Sequence, residues 1–123
     1  MGFLKYLSCT FLVFGIACLP KCFSQFFIGQ DLEVAVTGDL QLTLVNMDFD
    51  NNGNFQAGNG TIAFKGSAAN PHLGGESITN FFNLAVQLSS SSNMIELENH
   101  VEVANKIVFG NGLILLNESN ITL

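Results

Sequence analysis

Apolar residues alternate with polar residues along most of the chain that follows residue 24. Strict alternation is the signal of a half-buried β-strand, and no stretch of that part has the periodicity of an amphipathic helix. Gly, Asn, Asp and Ser residues separate the alternating runs, and they form turns because they tolerate positive φ. The pattern predicts an all-β fold of short strands, with inward apolar residues at Leu32, Val34, Val36, Leu40, Leu42, Leu44, Ile62, Phe64, Phe82, Leu84, Val86 and Leu88.

The longest alternating stretch, residues 95–109, is apolar at every second position except two, which are Asn99 and Asn105. One straight strand of this length would far exceed the usual length of about five or six residues. We therefore expect three short strands with one common inward face. They would be joined by corners at the two asparagines, a residue type that tolerates the left-handed conformation. The expected inward residues are Ile95, Leu97, Val101, Val103, Ile107 and Phe109.

Two parts of the chain share the pattern apolar-x-x-Gly-Asn-Gly-x-Ile, at residues 55–62 and at residues 107–114. A weaker echo relates Leu32-Glu33-Val34 to Val101-Glu102-Val103. Internal similarity is typical of folds in which similar units stack. Together with short strands that turn corners without changing their inward face, these echoes predict a β-solenoid.

Several short motifs occur in an order that resembles a degenerate repeat of large bacterial surface proteins. They are Asn-Gly-Asn-Phe at 52–55, Gly-Thr-Ile-Ala-Phe-Lys-Gly-Ser at 60–67, Phe-Phe-Asn-Leu-Ala-Val at 81–86, Val-Glu-Val at 101–103 and Gly-Leu-Ile-Leu at 112–115. The resemblance covers residues 31–123 and departs from the repeat at Ile78, which lacks the usual following glycine, and in the loop 72–76. It implies a right-handed parallel β-helix from an adhesin-like protein of the kind exported by the type IX route.

Residues 1–24 have the three zones of a secretory signal peptide. Lys5 supplies the positive zone, residues 7–19 form the apolar zone, and small residues precede a cleavage site before Gln25. The apolar zone is shorter than the roughly 20 residues that a membrane-spanning helix needs. An uncleaved anchor is one alternative, and a lipoprotein cleaved before Cys18 is another, although Gly15 stands where a lipoprotein signal has an aliphatic residue. The sequence thus predicts a signal peptide over 1–24, a β-solenoid segment over 25–123, and a secreted or outer-surface location with no membrane-spanning segment after cleavage.

Loss of the signal peptide changes the composition of the chain. All three cysteines (Cys9, Cys18 and Cys22) lie in it, so the remainder can form no disulfide. The absence of cysteine from an exported domain favours export from a Gram-negative bacterium, because small eukaryotic secreted domains usually need disulfides. Ten acidic residues and two lysines, Lys65 and Lys106, remain, and the formal net charge is −8. Nucleic acid is thereby excluded as a partner, because phosphate requires a basic surface.

Residues 48–53, Asp-Phe-Asp-Asn-Asn-Gly, match the first half of a calcium-binding loop. In such a loop Asp48, Asp50 and Asn52 would direct oxygen atoms towards one centre. The twelfth position is Asn59, where an EF-hand has a bidentate Glu, and no flanking helices are expected. A polar turn between two strands explains the same residues. The candidate metal site is therefore a weak calcium clip of Asp48, Asp50 and Asn52, and no other cofactor is expected.

In the stretch from 95 to 109, four of the outward-facing positions hold polar residues, which are Glu96, Glu98, His100 and Glu102. They suit either a metal site or a solvated outer face, and we favour the outer face because the corner at Asn99 would separate ligands that must approach within about 2 Å of an ion.

No catalytic residue is expected, since the part after residue 24 has no cysteine and no Gly-x-Ser-x-Gly motif.

These observations predict a non-catalytic, structural and adhesin-like segment of an exported bacterial surface protein. A carbohydrate-binding module is an alternative, although such modules usually stack sugars on aromatic rings and no Trp or Tyr follows residue 24. An N-terminal fragment of a β-helix polysaccharide-degrading enzyme is another, with its catalytic acids beyond Leu123.

We expect a longer protein, because the strand-like residues 121–123 end without a polar cap. The expected partners are downstream turns of the same chain, and glycans or other cell-surface components.

The first prediction concerns the cleavage site. Intact-mass spectrometry of the exported product should show Gln25, in open or cyclised form, at the N-terminus. A product that begins at a lipidated Cys18 would contradict this prediction.

Overall fold

The computed structural model describes residues 24–67 and 70–123, which form twelve β-strands and no helix. Every pairing between these strands is parallel, and each strand pairs with a strand of the preceding turn, of the following turn or of both. Parallel strands require a long crossover connection, and here the rest of the turn supplies it. The chain therefore winds as a β-solenoid of about four turns, which confirms the predicted fold class.

The strands lie on three faces, because the chain visits three ladders in each turn. The first face contains β1 (Ser24–Ile28), β4 (Met47–Asn51), β7 (His72–Gly74), β9 (Met94–Leu97) and β11 (Leu113–Leu115). The second face contains β2 (Glu33–Ala35), β5 (Asn54–Gln56), the first parts of β8 (Thr79–Leu88) and β10 (Val101–Asn111), and β12 (Ile121–Thr122). The third face contains β3 (Gln41–Val45), β6 (Thr61–Gly66) and the second parts of β8 and β10.

The turns differ in length, although most of their strands pair without a shift in register. The strand register joins residues that are 19 positions apart at Met94 and Leu113, and 24 apart at Phe49 and Leu73. The differences lie in the corner loops and in two shifts of register between β10 and β8. A turn length that varies in this way explains why no fixed period is visible in the sequence.

The interior is filled by inward side chains from all three faces. The rings of Phe49, Phe55 and Phe81 meet edge to face with centroids 5.4 to 5.7 Å apart, and Phe26 stacks on Phe49 at 5.3 Å. Such aromatic pairs contribute about 0.5–1.5 kcal/mol each beyond the burial of their surface. Among the described residues, no buried side-chain nitrogen or oxygen atom lacks a hydrogen-bond partner. The largest fully buried side chains are Phe49, Phe64, Phe81, Ile28, Leu44, Ile62, Leu73, Leu84, Ile95, Leu97, Val86 and Val101.

Both asparagines of the stretch 95–109 lie at corners, as predicted. Asn99 follows β9 and its amide nitrogen donates to the carbonyl oxygens of Gly75 (2.9 Å) and Ser77 (3.2 Å) in the preceding turn. Asn105 lies where β10 shifts register on β8, and its amide nitrogen donates to Asn83 Oδ1 at 2.7 Å. The two corners thus divide the stretch into three parts, although β10 is one continuous strand across the second corner.

The expectation that these asparagines adopt the left-handed conformation is wrong. Neither Asn99 nor Asn105 has a positive φ, whereas Asp31, Asn46 and Asn117 do. The corner asparagines act through their side chains, which satisfy backbone and amide groups of the neighbouring turn. Their occurrence at corners therefore reflects hydrogen bonding between turns, and not tolerance of an unusual backbone conformation.

One other expectation from the pattern is wrong. The inward residue of β8 before the corner is Phe81, which is buried, and Phe82 is only half-buried, because the corner between Phe81 and Leu84 shifts the alternation. The structure also shows that the two Gly-Asn-Gly motifs do not occupy equivalent places. Residues 58–60 connect the second face to the third, and residues 110–112 lead from the third face to the first.

Several residues predicted to be inward are exposed because they belong to the first or last turn. Phe109 pairs with the buried Val86 and is in register with the core, yet it is 57% exposed. Leu32 and Leu40 in the first turn are also exposed. A turn with a described neighbour on only one side leaves some of its inward side chains exposed, although Ile28 and Leu44 of the first described turn are buried. The predicted signal peptide lies outside the described residues except for Ser24, which begins β1.

The inward face of β10 generates a prediction. Val103 is buried and its neighbour Glu102 is exposed. Val103→Asp places an unpaired carboxylate in the core and should lower the free energy of unfolding by about 3 kcal/mol or more. Glu102→Ala should change it by less than about 0.5 kcal/mol. Urea unfolding of both variants measures the difference, and equal effects at the two positions would refute a single inward face.

Candidate functional site

Titratable side chains gather on the outer surface of the first face, where three neighbouring turns bring them together. The strand register aligns Asp48 of β4 with His72 of β7 and Glu96 of β9, one residue per turn. His72 Nδ1 lies 2.5 Å from Glu98 Oε1, and the backbone N–H of His72 donates to Asp48 Oδ1 at 2.9 Å. Asn70 donates to Glu96 Oε1 at 3.1 Å. These contacts join successive turns along the outside of the solenoid.

Gly74 opens space for the two carboxylates beside this histidine. A Cβ atom at Gly74 would lie 3.0 Å from the Cβ atom of Glu98 and 3.4 Å from Asp50 Oδ1. The side chains of the turns before and after β7 therefore lean over the glycine. Its lack of a side chain allows Glu98 and Asp50 to occupy the same part of the outer surface.

The acidic surroundings change the titration of His72. Partial burial alone would lower its pKa, but the hydrogen bond to Glu98 and the charges of Glu98, Asp48 and Glu96 outweigh that effect. The pKa of His72 is consequently raised above its ordinary value. An imidazolium stabilised in this way strengthens the contact between the third and fourth turns.

The three residues of the candidate calcium clip lie on the outward side of β4 and just after it. Asp48 accepts from the backbone of His72, Asp50 accepts from the side-chain amide of Gln25, and Asn52 Oδ1 accepts from the backbone N–H of Glu76 at 2.8 Å. All three oxygen-bearing side chains thus bond to a neighbouring turn. A polar segment that links turns accounts for these contacts, and calcium binding at this place stays a hypothesis.

The four outward polar residues between 95 and 109 are distributed over two faces. Glu96 and Glu98 belong to the first face, beyond which the corner at Asn99 redirects the chain, so that Glu102 lies on the second face. His100 Nδ1 accepts from the backbone N–H of Asn120 at 3.0 Å. The expected separation of these residues by the corner is confirmed.

Sequence reasoning did not find the contact between His72 and Glu98. The two residues are 26 positions apart, and the offset between paired strands varies from 19 to 24 residues along the chain. Only knowledge of the register places them together. Within residues 24–67 and 70–123, no group of three or more His, Cys, Asp or Glu side chains is arranged to hold a metal ion.

Comparisons with known proteins give no relative for this chain. No protein-family model matches it, and neither a curated protein nor a solved structure matches it significantly. In the part of the chain that the structure describes, no helix has the length and apolar character needed to cross a membrane.

The hydrogen bonds made by the polar side chains of residues 48–52 lead to a prediction about calcium. Since the side chains of Asp48, Asp50 and Asn52 already bond to neighbouring turns, EDTA should change the melting temperature by less than about 2 °C. Differential scanning calorimetry with EDTA and with added calcium measures this. A large EDTA-sensitive decrease that Asp50→Ala abolishes would establish the calcium clip instead.

The raised pKa of His72 leads to a prediction about pH. The folded state binds the proton more tightly than the unfolded state, whose histidine pKa is about 6.5. The stabilisation is therefore fully present below about pH 6 and is lost as the pH rises through the raised pKa of the folded state. Melting temperatures of the wild type and His72→Gln should differ most at pH 5.5 and converge by pH 8.5. A difference that does not change with pH would contradict this role.

Proposed function

We propose that this chain is a non-catalytic structural segment of an exported bacterial surface protein, with an adhesin-like role. The observation that carries the proposal is the use of its polar side chains. Those on the outer surface of the first face bond mainly to neighbouring turns, so that they reinforce the solenoid instead of converging on a cleft. A fold stabilised in this way suits a stalk that holds other parts of a protein away from a cell.

Two features of the sequence and the core support an extracellular location for such a stalk. The N-terminal 24 residues have the zones of a signal peptide, and every cysteine of the chain lies within them. The solenoid is stabilised by its apolar core and its backbone ladders, and it needs no disulfide. Export without oxidative folding is compatible with this construction.

Surface display tests the proposal. An epitope inserted at Ser90, in the exposed turn between β8 and β9, should be accessible to antibody on intact Gram-negative cells that carry a type IX export system. The same chain without residues 1–24 is the matched control and should be detected only after lysis. Detection of the complete chain only after lysis would contradict the proposal.

An assay of the purified chain tests the non-catalytic part of the proposal. It should release no reducing sugar from neutral or anionic polysaccharides above the level of a boiled sample. Hydrolysis that Asp48→Asn or His72→Gln abolishes would instead favour a β-helix enzyme.

A further inference from the structure

A ladder of polar side chains runs along the outer surface of the second face. The strand register aligns Gln56 of β5 with Asn80 of β8, then Glu102 of β10 and Thr122 of β12. All four residues are exposed, and the residues beside them on each strand point into the core. Parallel strands are about 4.8 Å apart, so the ladder presents one polar group per turn along the solenoid axis.

Two adjoining depressions border this ladder. One has a volume of about 300 Å³ and lies between Gln56, Asn80 and the half-buried ring of Phe82. The other, of about 270 Å³, lies between Asn80, Glu102 and Thr122. Asn80, Phe81 and Ala104 line both, so the depressions form one shallow groove, called the second-face groove below.

The side chains of the ladder differ from those of the first face in their bonding. Gln56, Asn80 and Glu102 make no side-chain hydrogen bond to any other described residue, whereas the polar side chains of the first face bond to neighbouring turns. Two amides and one carboxylate therefore remain available to a ligand. Each amide can both donate and accept hydrogen bonds.

We infer that the second-face groove binds a neutral polysaccharide. Hydroxyl groups pair with amides and a carboxylate, and the ring of Phe82 offers an apolar surface to a sugar. Each depression is at the small end of the range for ligand sites, which suits one residue of a polymer. This inference adds a ligand to the structural role proposed above, which does not itself require one.

The chemistry of the groove disfavours other ligands. Its lining contains one carboxylate, Glu102, and no Lys, Arg or His, so an anionic polymer would meet no complementary charge. An extended peptide usually binds by adding a strand to a free sheet edge. Here Gln56, Asn80 and Glu102 each pair with residues on both neighbouring strands, so at these positions the groove offers the surface of a sheet in place of an edge.

Binding to hexasaccharides of β-1,4-glucan and α-mannan, measured by isothermal titration calorimetry on the full chain, tests the inference. At least one should bind, and the double variant Gln56→Ala/Asn80→Ala should weaken its affinity about tenfold or more, because two hydrogen-bonding groups are lost. Gln87→Ala is the matched control, since this exposed glutamine lies on the third face. It should leave the affinity unchanged. Equal melting temperatures of the three proteins establish that folding is intact.

Four outcomes would overturn the inference. They are no binding to either hexasaccharide, equal affinity in the double variant, equal weakening by Gln87→Ala, and preferential binding of polygalacturonate or of an extended Gly-Thr-Ser-Gln repeat peptide. The surface-display experiment has a separate readout, so failure here would leave the proposed structural role standing.

Discussion

The inward side chains of one turn must pack against those of the neighbouring turns, and the rest of this structure depends on that constraint. The backbone ladders hold each turn at a fixed distance from the next, so core side chains must match those of their neighbours. Ile62, Leu84 and Ile107 meet in this way on the third face. A slip of one residue in any strand would turn its apolar side chains outward, which makes the register costly to change.

The same constraint explains where the polar residues lie. Loops at the corners can vary in length only if their backbone groups find partners, and asparagine side chains supply them. Asn99 bonds to two carbonyl groups of the preceding turn, and Asn105 continues a chain of amides through Asn83. On the first face, His72 and Glu98 join turns across the outer surface. On the second face the outward ladder makes no such bonds, and there the surface remains available to a ligand.

The strand content and the solenoid architecture could be predicted from the sequence, because alternation records which side of each strand is buried. The inward residues Ile95, Leu97, Val101 and Val103 follow directly from it. Alternation does not record corners that lie inside a strand, and this is why it predicts Phe82 in the core in place of Phe81. Pairing between turns was also beyond prediction, since corner loops of unequal length remove any fixed period. The contact of His72 with Glu98 and the ladder from Gln56 to Glu102 both depend on that pairing.

Disulfide trapping measures the register most directly, because it reports distances between turns. In a chain whose three native cysteines are replaced by serine, Lys65→Cys and Gln87→Cys should cross-link under mild oxidation, since the two residues pair on adjacent strands. Strands at about 4.8 Å satisfy the limit of about 7 Å between Cα atoms of a disulfide. Lys65→Cys with Asn111→Cys, two strands apart at about 9.5 Å, should not cross-link. Efficient cross-linking of the second pair, or none of the first, would contradict the stacked arrangement described above.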